Sequence, residues 1–145
     1  FQTVAHHPEV ILDVAHNPHA ARALRDNLER LMLPHSQVIA VFSMLADKDI
    51  ASVVEILHPV INRWHIAPIE HPRAVDMANL QACVQQHVAD THITCHESLA
   101  VAMRVAYKNA ANNDKIIVFG SFFTVAAILA LTPDDWQADV DLESR

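Results

Sequence analysis

The sequence predicts an α/β domain: a mostly parallel β-sheet with helices on both faces and one antiparallel edge strand at its N-terminus. Three observations predict it. Short apolar runs of strand length recur at residues 10–14, 38–42, 64–67, 92–95 and 116–119. The segments between them carry apolar residues at helical spacing, and alternation of this kind marks βαβ units. Finally, residues 1–5 can fold back on residues 10–14 across His6, His7, Pro8 and Glu9, making an edge hairpin.

The helical segments come in order along the chain. Leu24, Leu28 and Leu31 form the first stripe, and Ile50, Val53, Val54 and Leu57 the second. Leu80, Val84 and Val88 form the third, and Leu99, Met103 and Ala106 the fourth. A last helix is expected over residues 124–131, stopping before Pro133 because proline disfavours helix in the residue ahead of it. The acidic end, residues 134–145, reads as a short helix or a frayed tail. Trp64 and Trp136 read as packing groups.

Composition bounds the function. At 145 residues and 52% hydrophobic content, residues 1–145 read as one domain with a core of its own. Lys and Arg number 10 against 17 Asp and Glu, a net charge of -7 without a basic stripe, which argues against nucleic acid as a partner. No stretch free of charged residues and histidine reaches the ~20 residues of a membrane-spanning helix, and no basic-then-apolar leader opens the chain, so no membrane partner is expected. Cys83 and Cys95 lie in apolar-patterned segments and are expected as reduced, buried thiols, consistent with a cytoplasmic location. A start at Phe1 rather than Met suggests a segment of something longer. The chain has 1 glycine, Gly120, where average usage of roughly 7% would give about ten. Phosphate-cradling loops need several, so neither a P-loop nor a dinucleotide fingerprint is present.

Ligands of such sheets bind beyond the carboxyl ends of the strands, and three loops there stand out. In the first, 13–19, Asn17 is suited to cap a helix and Pro18 to open it. Asp13 ends an apolar strand, where a charge needs a partner; it is expected with His16 at the corner, facing the cleft, although it could instead bind backbone N–H groups. In the second, 44–49, Asp49 reads as an N-cap and Lys48 as a cation over the cleft, or the turn is simply solvated. In the third, 120–124, Gly120 permits a sharp strand-to-helix turn, and Ser121 or Thr124 caps the last helix. Phe119 breaks the G-x-S-x-G pattern, so an acyl-enzyme is not expected. The 11 histidines form no H-E-x-x-H, and neither cysteine is in a C-x-x-C pair, so no metal site is expected.

These loops carry a resemblance. Residues 11–21, ILDVAHNPHAA, resemble the D-G/V-A-H-N-P-x-A motif of the folylpolyglutamate synthase/dihydrofolate synthase family of Mur ligases. MLADKD at 44–49 is similar to that family's M-x-x-D-K-D loop, and GSFFTVA at 120–126 to its G-S-x-H/Y-T-V-A element. Ala67-Pro68 and Pro72-Arg73-Ala74 resemble the stretch after its third strand.

The resemblance implies a Rossmann-like, three-layer C-terminal domain, with a P-loop ATPase domain upstream and outside residues 1–145. It implies ATP and Mg²⁺ as cofactors, the metal ligands and a modified lysine lying in that upstream domain. The implied reaction phosphorylates a carboxylate of dihydropteroate or of a folate's glutamate tail. The amine of L-glutamate then attacks, releasing ADP and phosphate. Asp13 would hold ATP, at its ribose; His16, Lys48 and Ser121 would line the glutamate; Asn17, Asp47 and Gly120 would support them. Phe123 departs from the family's usual His or Tyr and is expected to have no catalytic role. An arginine that ordinarily precedes the Phe-Gln start would lie upstream. The chain alone is expected to be inactive. Whether the parent performs both glutamate additions stays open, and the alternative is a non-catalytic nucleotide- or amino-acid-binding module of the same fold.

Overall fold

The computed structural model describes residues 1–132 and 134–136. The apolar runs build a six-stranded sheet: β1 (Gln2–Ala5), β2 (Glu9–Leu12), β3 (Val38–Phe42), β4 (Arg63–Ile66), β5 (Ile93–Cys95) and β6 (Lys115–Phe119). Helices alternate with them: α1 (Pro18–Leu31), α2 (Ile50–Leu57), α3 (Met77–Gln85), α4 (Leu99–Asn109) and α5 (Phe122–Leu129). The spatial order is β1-β2-β6-β3-β4-β5. β1 pairs antiparallel with β2, and the other pairings are parallel.

Strand alternation splits the core into two layers. Val38, Ala40 and Phe42 of β3, with Ile117 and Phe119 of β6, face α1, α2 and α3; Ile39, Val41, Ile116 and Val118 face α4 and α5. Both faces are covered, which is why β3 and β6 read as unbroken apolar runs rather than as alternating ones. Phe42 packs on Trp64 and Phe119, with ring centroids 5.3 and 4.8 Å away. Trp64 and Trp136 are both buried.

Several boundaries differ from expectation. β2 ends at Leu12 rather than residue 14, although Asp13 N still donates to Val118 O at 2.9 Å. Leu31 does not continue the buried stripe of Leu24 and Leu28; it is exposed in the last turn of α1. α3 stops at Gln85, ahead of Val88, which still packs on the first core layer. α5 starts two residues early because Ser121, not Thr124, provides the cap. Cys95 is exposed rather than buried, because β5 is the uncovered edge of the sheet, and Cys83 is half-buried; both thiols are free. Trp136 anchors the end of the described chain against Tyr107, with ring centroids 4.8 Å apart. Residue 133 and the rest of the expected acidic tail, 137–145, lie outside the described residues. Among the described residues no helix is long and apolar enough to cross a membrane.

The chain runs from β2 past the place of β6 to β3, β4 and β5, then returns to insert β6 between β2 and β3. Strand order therefore reverses around β6. The register aligns the strand exits there: Leu12 with Val118, and Phe42 with both Phe119 and Ile66. The connections after β2, β3, β4 and β6 consequently leave from one rim, at the switch point where such sheets bind ligands.

Candidate functional site

Gly120 sets the corner after β6. Its φ is +116°, and a Cβ at this position would lie 2.1 Å from Ser43 O, in the connection leaving β3. Only a residue without a side chain lets the two strand exits approach so closely. Ser43 O also accepts a hydrogen bond from Thr124 Oγ1 at 2.9 Å, which ties the first turn of α5 to the end of β3. Both side chains are fully buried.

Each of the three motif corners ends in a capped helix. Asn17 Oδ1 accepts from Ala20 N at 2.9 Å, with Pro18 at the first helical position of α1. Asp49 Oδ1 accepts from Ser52 N at 3.2 Å. Ser121 Oγ accepts from Phe123 N at 3.0 Å, and its own O–H is left to donate. These caps fix where each helix begins and therefore which residues overhang the rim.

The corners meet in a cleft of about 210 Å³. His16, Lys48, Gly120 and Ser121 line it, so members of all three sequence motifs share one cavity. Arg73, Leu45, Phe122 and Phe123 complete the lining. The lining combines two cations with two phenylalanines. His16 Nδ1 lies 2.9 Å from Val14 O; the carbonyl can only accept, so Nδ1 donates to it and Nε2 is left outside that bond. Phe123 packs against His71, with centroids 4.4 Å apart, and also borders a second cavity of about 500 Å³ that holds Glu70, Glu97 and Ser98. The Phe at 123 thus serves as a dividing wall between the two cavities.

Two supporting residues sit behind the lining. Asn17 acts through the α1 cap. Asp47 binds Arg73, its Oδ2 accepting from Nη2 at 2.6 Å. Desolvation raises the Asp47 carboxyl, but the hydrogen bond and charge of Arg73, its own backbone N–H and Lys48 outweigh that and hold it below the usual carboxylate value.

Asp13 follows the second of its two sequence expectations and binds a backbone N–H instead of facing the cleft. It does not share the cleft with His16. Its Oδ1 accepts from Ala15 N at 2.8 Å, closing a tight turn. The carboxylate turns away because the backbone N–H two residues on satisfies it first.

Two features escaped the sequence. Arg73 was visible only as the middle of Pro72-Arg73-Ala74; its place in the cleft results from β4 lying beside β3, which no local pattern encodes. The other is a pair of imidazoles. His65, 5% exposed on β4, faces His96 just after β5, with Nδ1 and Nε2 2.9 Å apart. Burial, His96 and then Arg63 lower the His65 pKa to about 4, and burial lowers that of His96. Among the described residues no three His, Cys, Asp or Glu side chains are grouped to hold a metal ion.

The pattern of a glycine-poor α/β domain with a cationic cleft at its switch point has a match among known families. Residues 1–122 match the model of the Mur ligase glutamate ligase domain. The chain belongs to that family. Within it, this Mur ligase domain is 39% identical over 129 residues to the dihydrofolate synthase/folylpolyglutamate synthase of Escherichia coli K12, covering 89% of this chain and 29% of that protein. In three dimensions it is similar to E. coli FolC in complex with ADP, with a TM-score of 0.81, 37% identity and coverage of 90% of this chain and 30% of the other. A bifunctional folylpolyglutamate synthase/dihydrofolate synthase with Mn, AMPPNP and L-glutamate bound gives a TM-score of 0.80 at 39% identity, again covering 90% of this chain and 30% of that one. The Mur ligase domain therefore spans about 30% of the length of the curated relatives it matches.

Proposed function

We propose that this domain is the amino-acid-binding part of an ATP-dependent ligase that joins L-glutamate to dihydropteroate and to the glutamate tail of folates. The observation that carries the reading is the cleft itself. Three separate loops, each similar to a folylpolyglutamate synthase motif, line one cavity of about 210 Å³ with cations and a hydroxyl. That leaves room for a small dicarboxylic amino acid beside the two cations. The relatives point the same way: one solved structure of this likeness holds L-glutamate and a nucleotide analogue.

In this reading Lys48 neutralises a glutamate carboxylate, and Ser121 donates its O–H to it, each charge-assisted bond worth about 1.5–3 kcal/mol. Nε2 of His16 accepts a hydrogen bond from an α-amine N–H, which orients the nucleophile. Asp13, on the β1 side of the same corner, holds ATP at its ribose. The phosphate grip belongs to an upstream ATPase domain, since this segment has no glycine-rich loop to supply it. With Lys48 and Arg73 beside it, the cleft is a poor host for a divalent cation, so a metal used by the reaction is assigned to that upstream domain. The reaction runs where phosphate, water exclusion and amine meet between the two domains, in a cytoplasmic enzyme.

The test is ATP-dependent incorporation of labelled L-glutamate by the parent protein with dihydropteroate, with tetrahydrofolate and with neither. Incorporation that requires a pteroyl acceptor supports the proposal, and none with either acceptor refutes it. Residues 1–145 alone are expected to give no turnover.

A further inference from the structure

We propose that Arg73 is a second carboxylate-binding residue of the cleft and that Asp47 positions it, so that the site selects an amino acid bearing two carboxylates. This rests on reading the cleft as the glutamate site.

Arg73 lies in the connection between β4 and α3, outside any helix or strand. The neighbouring connections fix it instead. Ala46 N donates to Arg73 O at 2.9 Å, and Leu45 and Ala74 form an antiparallel bridge, so the β4 connection is stitched to the Lys48 loop. Arg73 N donates to His71 Nδ1 at 3.0 Å, and the His71 ring rests on Phe123 of the third corner. The Arg73 backbone is thereby referenced to both of the corners that carry Lys48 and Ser121.

Asp47 then aims the side chain. The Arg73–Asp47 pair is exposed on both partners, 54% each, and ion pairs so placed contribute little to stability. What the contact does is hold the guanidinium in one orientation. Asp47 engages Nη2 and leaves the other donors of a planar, five-donor group for a carboxylate in the cleft. A guanidinium grips a carboxylate through two parallel bonds, whereas the Lys48 ammonium acts as a point charge, so the cleft holds two cations of different geometry. The charged side chains that line the cleft itself, apart from the imidazole of His16, are the two cations Lys48 and Arg73. An amino acid with two carboxylates satisfies both cations. Its side-chain amide analogue leaves one of them unpaired, which is the arrangement that discriminates most strongly.

The experiment uses the full-length parent enzyme. Arg73→Ala is expected to raise the KM for L-glutamate by about tenfold or more, with the KM for ATP within about twofold of wild type. It is also expected to cut the preference for L-glutamate over L-glutamine by about the same factor. Arg73→Lys, which keeps the charge but loses the fork, is expected to fall between the two. Asp47→Asn is expected to raise the glutamate KM about threefold to fivefold and leave kcat close to wild type, the signature of a positioning residue rather than a reacting one. If Arg73→Ala fails to fold, the Lys and Asn variants carry the test. Wild-type enzyme that ligates no L-glutamate would overturn the functional reading and this assignment together. Wild-type enzyme that does so, with unchanged glutamate KM and unchanged glutamine discrimination in these variants, would overturn the assignment alone.

Discussion

Replacing Gly120 with alanine should damage the fold far more than the loss of one hydrogen atom suggests, and the size of the effect can be worked from the corner. The new Cβ would stand 2.1 Å from Ser43 O and 3.0 Å from both Met44 Cγ and Phe42 Cδ1. A carbon–oxygen contact does not close below about 3 Å, so the backbone of β3 or β6 must move by roughly 1 Å. The obstacle is main chain, not the flexible end of a side chain. Overfilling a packed interior in this way costs about 1–3 kcal/mol. Holding an alanine at φ +116° costs a further ~1–3 kcal/mol. The movement also strains the Thr124–Ser43 hydrogen bond. A total of about 4 kcal/mol is a large share of the 5–15 kcal/mol that ordinarily stabilises a domain. Urea unfolding followed by circular dichroism reads it directly: with a slope near ~2 kcal/mol per molar, the midpoint should fall by about 2 M with the slope unchanged. Phe122→Ala is the control. Phe122 is 67% exposed two residues away, and its loss should shift stability by no more than about 0.5 kcal/mol. A Gly120→Ala midpoint within about 0.5 M of wild type would show that the corner is not as tight as described.

Thr124→Val keeps the shape of the side chain but leaves the buried Ser43 carbonyl without its hydroxyl donor, and should cost about 1–3 kcal/mol in the same assay; a neutral result would remove Thr124 from the corner. For His65 the folded pKa of about 4 lies below the ordinary 6.5, so the unfolded chain binds the proton first. Stability from the neutral ring is then fully present above pH 6.5 and is lost as pH falls towards 4, by up to about 3 kcal/mol. Wild type should lose stability across that window more steeply than His65→Gln, and identical slopes would count against the buried imidazole pair. Asp13→Asn keeps an acceptor for Ala15 N, so the chain should fold normally while the parent enzyme's KM for ATP rises about tenfold; unchanged ATP kinetics would take Asp13 out of the nucleotide site.

The sequence carries this fold wherever one residue type answers a local demand. The unbroken run of β3 gives its limits to the residue, since a strand buried on both faces has no polar position to blur its ends. Asn17, Asp49 and Ser121 each cap the helix their chemistry suits. The lone glycine marks the one corner where two strand exits nearly touch. What stayed hidden depends on the order of strands. His65 and His96 meet because β4 and β5 pair with His65 opposite Thr94. Arg73 meets Asp47 because the β4 exit lies beside the β3 exit. Neither contact has a period or a spacing along the chain. Asp13 shows a different limit. Its motif was legible, but the sequence left two directions open, and a backbone N–H two residues on decided between them.

The central claim is that the rim cavity between the β2, β3 and β6 exits receives the incoming amino acid, and Lys48→Ala in the parent enzyme tests it most directly. Steady-state kinetics with L-glutamate and ATP varied separately should give a glutamate KM raised by about tenfold or more, with the ATP KM within about twofold of wild type. A variant whose glutamate dependence is unchanged while its ATP dependence worsens would place the nucleotide, not the amino acid, in that cavity.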